Sequence, residues 1–301
     1  MTGAAIQSLP PAIADATRLA ARLGVPAHEI ALHRFPDGEL RVSVGPAADT
    51  TILYLPLDQP NDRLLALLFA AEALRREGAR RLVLAAPYLC YMRQDAAFHK
   101  GEAISQKVVG RLIAAIVDRV ITVDAHLHRT KTIAEVFPGI EADDLSAMPA
   151  IADYLRASGL DPATVVAGPD AESEPWVGDL AGRLGLAHAV AHKSRRSDRS
   201  VEIAFADAKL FAGRPALLVD DIVSSGGTLM TCAQALVAAG ASSIDAIVTH
   251  ALFPPELTRE FLRAGIRSIR SAHSVPHPSN AIALDAILVD ALRREITGAA
   301  S

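Results

Sequence analysis

Short runs rich in valine, isoleucine and leucine alternate along this chain with longer alanine- and leucine-rich segments of helical spacing. Thr51–Leu55, Arg81–Ala86, Val120–Val123, Thr164–Ala167, Ala187–Ala191, Ala216–Val219 and Ile244–Thr249 read as strands. A helix is predicted from Asn61 to Arg76, capped by Asn61-Asp62 and closed by Gly78. Ser105–Val117, Ala150–Ala157 behind Ser146 and Pro149, and Thr228–Ala239 before Gly240 predict further helices. Such alternation predicts an α/β fold built from βαβ units around mainly parallel sheet. The strands are apolar throughout, which predicts sheets flanked by helices on both faces. A weak echo runs through the two halves. Leu82–Tyr88 and Val165–Asp170 each run into a proline, and Val120–Asp124 and Leu217–Asp221 each end in a carboxylate, in the same order. The echo predicts two similar domains, 1–145 and 146–301, with the last helix free to pack back on the first.

Composition narrows the function more than the fold. With 50% hydrophobic and 21% charged residues over 301 positions, the chain is globular rather than disordered. Its 30 Lys and Arg against 34 Asp and Glu leave a charge of −4, so no broad field attracts nucleic acid or a membrane surface. Aromatics at 4% argue against a base-stacking platform. Cys90 and Cys232 both sit in apolar segments, where a free thiol acts as a small hydrophobe and suits a reducing compartment. No apolar run reaches the roughly 18 residues of a membrane span. The amino terminus lacks a basic start and meets Pro10-Pro11 early, a poor signal peptide. A cytoplasmic protein is expected.

The strongest local feature is Leu217-Leu-Val-Asp220-Asp221-Ile-Val-Ser224-Ser225-Gly226-Gly227-Thr228. A buried strand delivers two carboxylates at its carboxyl end, where open α/β sheets bind ligands. Glycines let the backbone approach an anion, and the following helix start offers N–H groups to a phosphate. Ser224, Ser225 and Thr228 add hydroxyl donors, and the adjacent acids suit sugar hydroxyls or a metal's water shell. The spacing fits neither the Walker loop nor the dinucleotide-binding glycine pattern. It resembles the ribose 5-phosphate loop shared by type I phosphoribosyltransferases and ribose-phosphate pyrophosphokinases.

Three stretches of the first half separate those families. Arg34-Phe35-Pro36-Asp37-Gly38-Glu39 gathers an aromatic, two carboxylates and a turn glycine before a strand at Leu40–Val44. Tyr91-Met-Arg93-Gln94-Asp95 follows a strand end, where Arg93 suits phosphate oxygens and Gln94 a base edge, or Arg and Asp form a local surface pair. Asp124-Ala-His126-Leu-His128-Arg129 ends another strand, with His126 a candidate ligand that Asp124 could orient. In that order, together with the 220–228 loop, these motifs resemble the ribose-phosphate pyrophosphokinase family over about residues 5–290. Phe98–Ser105 resembles its archaeal-type branch.

The resemblance implies two tandem type I phosphoribosyltransferase-like domains. It also implies transfer of the diphosphoryl group of ATP to C1 of ribose 5-phosphate, with Mg2+ as cofactor. Phe35, Asp37, Gly38 and Glu39 would bind adenine, reaching a neighbouring subunit, so that a homo-oligomer, at least a dimer, is expected. Arg93 and Gln94 would complete the ATP site, and His126 and Asp170 would bind magnesium. Lys193 and Arg195 match the catalytic lysine and arginine, within a stretch, Lys193–Arg199, that reads as a basic loop. Asp220 and Asp221 would hold ribose hydroxyls and metal-bound water, and Ser224, Ser225, Gly226, Gly227 and Thr228 the 5-phosphate. Family members commonly carry glycine and small residues after Pro169-Asp170, where this chain has Ala171-Glu172-Ser173-Glu174-Pro175-Trp176. The rival readings are a phosphoribosyltransferase that consumes the activated sugar and a non-catalytic regulatory paralogue.

Overall fold

The structure, a computed structural model, describes residues 3–197 and 200–297, without the side chains of 193–202 and 297. Within the described residues, Met1–Ser146, Ser274–Pro276 and Leu284–Ser301 form one compact unit, and Ala147–His273 with His277–Ala283 a second.

The first unit opens with β1 (Ala4–Ser8), α1 (Ile13–Leu23) and β2 (Ala27–Glu29). An antiparallel pair, β3 (Ala31–Arg34) and β4 (Leu40–Ser43), interrupts the alternation. It resumes with β5 (Thr50–Tyr54), α2 (Pro60–Arg76), β6 (Arg81–Ala86), α3 (Ser105–Ala114), β7 (Arg119–Val123) and β8 (Glu141–Leu145). The sheet runs β2-β1-β5-β6-β7-β8 with every neighbouring pair parallel. The apolar runs behave as read: β5 and β7 are buried along their whole length, and β6 along all but Arg81.

The second unit holds α4 (Met148–Ala157), β9 (Val165–Gly168), α5 (Glu174–Leu184), β10 (Ala187–Ser197) and β11 (Ser200–Phe205). It continues with β12 (Pro215–Val223), α6 (Gly227–Ala238), β13 (Ser243–Ala251), α7 (Thr258–Arg263), β14 (Ile266–Ala272) and β15 (Asn280–Ile282). Its sheet runs β11-β10-β9-β12-β13-β14-β15, parallel except for the β10–β11 pair. Leu229, Cys232, Ala233 and Leu236 of α6 share one core with Ile244, Ala246 and Val248 of β13. Burial pushes the thiols of Cys90 and Cys232 up to about 12, so both act as apolar filling.

The chain then returns to the first unit through α8 (Asp285–Thr297). Arg81 and Arg119, at the starts of β6 and β7, both donate to Glu295 of this helix, at 2.6 and 2.8 Å.

The basic stretch from Lys193 is corrected by the structure. Lys193 to Ser197 continue β10 and pair antiparallel with β11, Lys193 opposite Ile203 and Arg195 opposite Val201. Serines and arginines read as a loop because this part of the strand lies beyond the register with β9, which ends at Val190. Residues 198–199 lie outside the described residues.

Candidate active site

In each sheet the strand order reverses next to the first strand, between β1 and β5 and between β9 and β12. The carboxyl ends beside such a reversal form a natural ligand crevice. In the second unit, β9 ends at Gly168 and Asp170 follows. Its carboxylate accepts from the Glu172 N–H at 3.2 Å, opening the turn before α5. β12 brings Asp220 and Asp221 to the same end. Asp220 accepts from the Asp221 N–H at 3.0 Å and Asp221 from the Ile222 N–H at 2.7 Å. Burial, and then the negative charges of Asp221 and Asp170, push the Asp220 carboxyl well above its ordinary range. Three acids thus share one strand-end region with each other as electrostatic neighbours.

The loop after β12 turns into α6 through Gly226, at φ 73°. A Cβ there would meet Phe261 Cε1 at 2.5 Å, so both backbone and space require glycine. No side chain caps this helix start, and a Cβ on Gly227 would point into open space. The loop therefore presents backbone N–H groups and exposed Ser225 and Thr228 around room for an anion.

In the first unit, Phe35-Pro36-Asp37-Gly38-Glu39 is the turn joining β3 to β4. The Phe35 N–H donates to the Glu39 carbonyl at 2.8 Å and the Gly38 N–H to the Phe35 carbonyl at 2.9 Å. Gly38 sits at φ 95°, which a side chain would strain. Phe35 remains 37% exposed, edge-on to His33, with the Arg41 guanidinium 6.0 Å from its ring centre.

Arg93 and Gln94 lie beyond the carboxyl end of β6, Arg93 exposed. The Gln94 amide donates to the Ala96 carbonyl at 3.1 Å and to Glu102 at 3.3 Å. Glu102 also accepts from the N–H groups of Phe98 and His99, at 2.9 and 3.0 Å, and so folds residues 94–102 around itself.

His126 follows β7. Asp124 before it takes φ 42° and donates its N–H to Leu145 at 2.8 Å. The Ala125 N–H donates to Asp144 at 2.9 Å. The ring of His126 meets that of His128 edge-on, centroids 3.9 Å apart, nitrogen to nitrogen, so one ring donates and the other accepts. Lys193 and Arg195 occupy β10, with side chains outside the described residues.

Sequence reasoning missed how these loops are tied. Asp95 bonds to Arg129, 34 residues away, rather than serving as a merely local partner of Arg93. Gln106 and Asp144 also contribute. The Asp-rich run before Leu145 offered a faint signal, and nothing in the spacing of Asp95 and Arg129 did. Among the described residues, no three His, Cys, Asp or Glu side chains converge as a complete metal cage.

Comparison with known proteins places this arrangement. The N-terminal domain of ribose phosphate pyrophosphokinase matches residues 8–116, and the phosphoribosyl transferase domain residues 150–261. The ribose-phosphate pyrophosphokinase of Methanopyrus kandleri is 33% identical over 265 residues, covering 87% of this chain and 89% of the relative. That of Methanobrevibacter smithii is 30% identical, with 86% and 90% covered. The Bradyrhizobium diazoefficiens protein of the same name is 35% identical, with 80% and 75% covered. The phosphoribosylpyrophosphate synthetase structure from Mycobacterium smegmatis shares the fold, with a TM-score of 0.84 over 98% of this chain and 99% of that one at 23% identity. Near end-to-end likeness, with both domains in order, shows that the chain belongs to the ribose-phosphate pyrophosphokinase family.

Proposed function

We propose that this chain is an ATP-dependent ribose-phosphate diphosphokinase, making 5-phosphoribosyl 1-diphosphate and AMP from ATP and ribose 5-phosphate. The observation that carries the reading is the match, over 87% of the chain, to a ribose-phosphate pyrophosphokinase. The first-unit motifs support it over a phosphoribosyltransferase, which would leave Asp37–Glu39 and Arg93–Gln94 without a role.

The C1 hydroxyl oxygen attacks the β-phosphorus of ATP and gives up its proton to water, the bond from that phosphorus to the α–β bridging oxygen breaks, and AMP leaves. The protein's share is alignment and charge neutralisation. Ser224–Thr228 hold the 5-phosphate on loop N–H groups and hydroxyls, and Asp220 and Asp221 fix the ribose hydroxyls. Phe35, Asp37, Gly38 and Glu39 bind adenine. The family resemblance implies that they serve the site of a neighbouring copy in at least a dimer, and β3, exposed along its length, leaves this arm open to such a contact. Arg93 and Gln94 grip ATP. Lys193 and Arg195 stabilise charge on the transferring group.

The acids of the second unit fit magnesium. Asp170, Asp220 and Asp221 are hard oxygen donors, and the raised proton affinity of Asp220 marks a carboxylate suited to a cation. Asp170 is the candidate direct ligand in this unit, with Asp220 and Asp221 engaging the ion's water, and His126 is a separate candidate metal ligand in the first unit. When bound, magnesium supplies a Lewis acid that neutralises phosphate charge.

No described helix is long and apolar enough to cross a membrane. The proposal of a cytoplasmic enzyme rests on the free, buried Cys90 and Cys232, which suit a reducing compartment. The test is direct. Protein with magnesium, ATP and ribose 5-phosphate should release AMP in step with the diphosphorylated sugar. ADP as the nucleotide product, or ATP binding without turnover, overturns the reading.

A further inference from the structure

Two loops of the first unit carry the residues assigned to ATP and metal, and they leave neighbouring parallel strands, β6 and β7. Asp95 lies in the first loop, two residues after Arg93, with its side chain only 2% exposed. It accepts from the Arg129 N–H at 3.1 Å with one oxygen and from the Arg129 guanidinium at 2.8 Å with the other. Arg129 lies three residues after His126 in the second loop. The carboxylate thus grips one residue of the facing loop by backbone and side chain together.

A second tie runs beside the first. Gln106, 2% exposed in the first turn of α3, donates its N–H to the Gln94 carbonyl at 3.2 Å. Its side-chain oxygen accepts from the Thr130 hydroxyl at 2.7 Å. The outer face is closed by the Arg129 guanidinium, 5.1 Å from the centre of the Phe98 ring. Residues 94–95 and 129–130 are therefore bonded pairwise, one pair through a charge and the other through an amide.

We infer that Asp95 is a positioning residue of the ATP site, setting with Arg129 the spacing between the Arg93–Gln94 loop and the His126 loop. This rests on the reaction proposed above. Burial alone would raise the Asp95 carboxyl, yet Arg129 holds it below its ordinary range, so it stays charged and bonded at neutral pH. A buried carboxylate with both oxygens engaged by one residue is committed to that partner rather than to substrate. Catalytic groups must be held to within a fraction of an ångström, and a misplacement of about 1 Å can cost roughly 10²-fold.

The test compares wild type with Asp95→Ala, Arg129→Ala and the double variant, and with the isosteric Asp95→Asn should Asp95→Ala not fold. Calorimetry reads the affinity for ATP, and steady-state kinetics reads KM for each substrate. Each single variant should weaken ATP binding by roughly tenfold or more while KM for ribose 5-phosphate stays within about twofold, since its loop belongs to the other unit. The double variant should be no worse than the poorer single one, because the two residues act as one tie. A merely structural pair would lower the melting temperature and leave the substrate split untouched, and that outcome overturns the inference. So does additivity of the two changes, which would make Arg129 a direct ligand of ATP. If wild type releases no AMP, the functional reading has failed, and the ATP calorimetry still decides whether Asp95 positions the site.

Discussion

Glu295 on α8 and Asp220 at the end of β12 are both carboxylates drawn away from water, and their surroundings treat them in opposite ways. Glu295 is 5% exposed and meets two guanidinium groups. Arg81 reaches it at 2.6 and 3.0 Å, one contact to each oxygen, and Arg119 at 2.8 Å. Arg119 is itself shared with Asp143, at 2.6 Å, and Arg294 reaches Glu141 at 2.7 Å. Burial alone would raise Glu295, but the two arginines hold it below its ordinary range. At Asp220, burial and the neighbouring Asp221 and Asp170 act together and in the same direction, upward. A buried charge with all its partners supplied by the chain is complete and serves the fold. Asp220, half-buried among like charges, lacks a counter-charge among the described residues, the pattern of a candidate ligand site.

The largest effect is expected from breaking the complete cluster. Glu295→Ala leaves Arg119, 2% exposed, with a lost partner inside the protein. Removing one member of a buried ion pair costs about 3–5 kcal/mol, well above the roughly 0–1 kcal/mol of a surface pair. Denaturant unfolding followed by circular dichroism reads the change. A loss under about 1 kcal/mol would place this cluster with the surface pairs and remove one side of the comparison.

Asp220→Asn should do the reverse. Turnover to AMP should fall by roughly 10²–10³-fold, the loss typical of removing a group aimed at a reacting centre. The melting temperature should hold or rise, because a carboxylate repelled by Asp221 and Asp170 has become neutral. A variant that loses stability along with activity would show that Asp220 is held by the fold after all.

These two regions also differ in how far they could be read from the sequence. The Asp220–Thr228 loop is contiguous, and its strand, acids, glycines and helix start follow one another within a dozen residues. Most buried strands were legible for a similar reason, since a parallel strand covered on both faces is apolar without interruption. β1, buried throughout, was missed because it carries Gln7 and Ser8 inside. The Glu295 cluster joins residues from β6, β7 and α8, and no local pattern marks Arg81 as half-buried or Arg119 as buried. α8 itself returns to a unit whose other elements lie more than a hundred residues earlier, a return left open for the last helix, but no periodicity reports that Glu295 meets Arg81 and Arg119 there. β11 and the far half of β10 were missed because a pair at the edge of the sheet need not be apolar throughout: Ile203 and Phe205 are buried while Ala204 between them is exposed. Asp95 was visible as part of a motif, and its partner, 34 residues on, was not. Local chemistry was therefore legible, and long-range charge pairing was not.

The smallest effect, and the finest discrimination, comes from pH in the presence of a chelator. The folded Glu295 binds its proton more weakly than the unfolded chain does, so its contribution is fully present above about pH 4.3 and is lost as pH falls through its lower folded value. The wild type and Glu295→Gln should differ by a constant amount near neutrality and converge in acid. Asp220 has the opposite sign. Above about pH 3.9 the unfolded chain releases a proton that the folded protein keeps, so stability falls as pH rises toward the raised folded value. Asp220→Asn should gain on wild type over that window by up to about 1.4 kcal/mol per pH unit. Melting temperatures of the three proteins at half-unit steps would then give difference curves of opposite slope. Magnesium added at neutral pH should narrow the gap between wild type and Asp220→Asn, because the ion binds the folded carboxylates alone, and should leave the Glu295→Gln difference unchanged. Parallel curves, or an equal response of both variants to the ion, would mean that the two carboxylates do not differ in kind and that the surroundings of Asp220 hold no place for a cation.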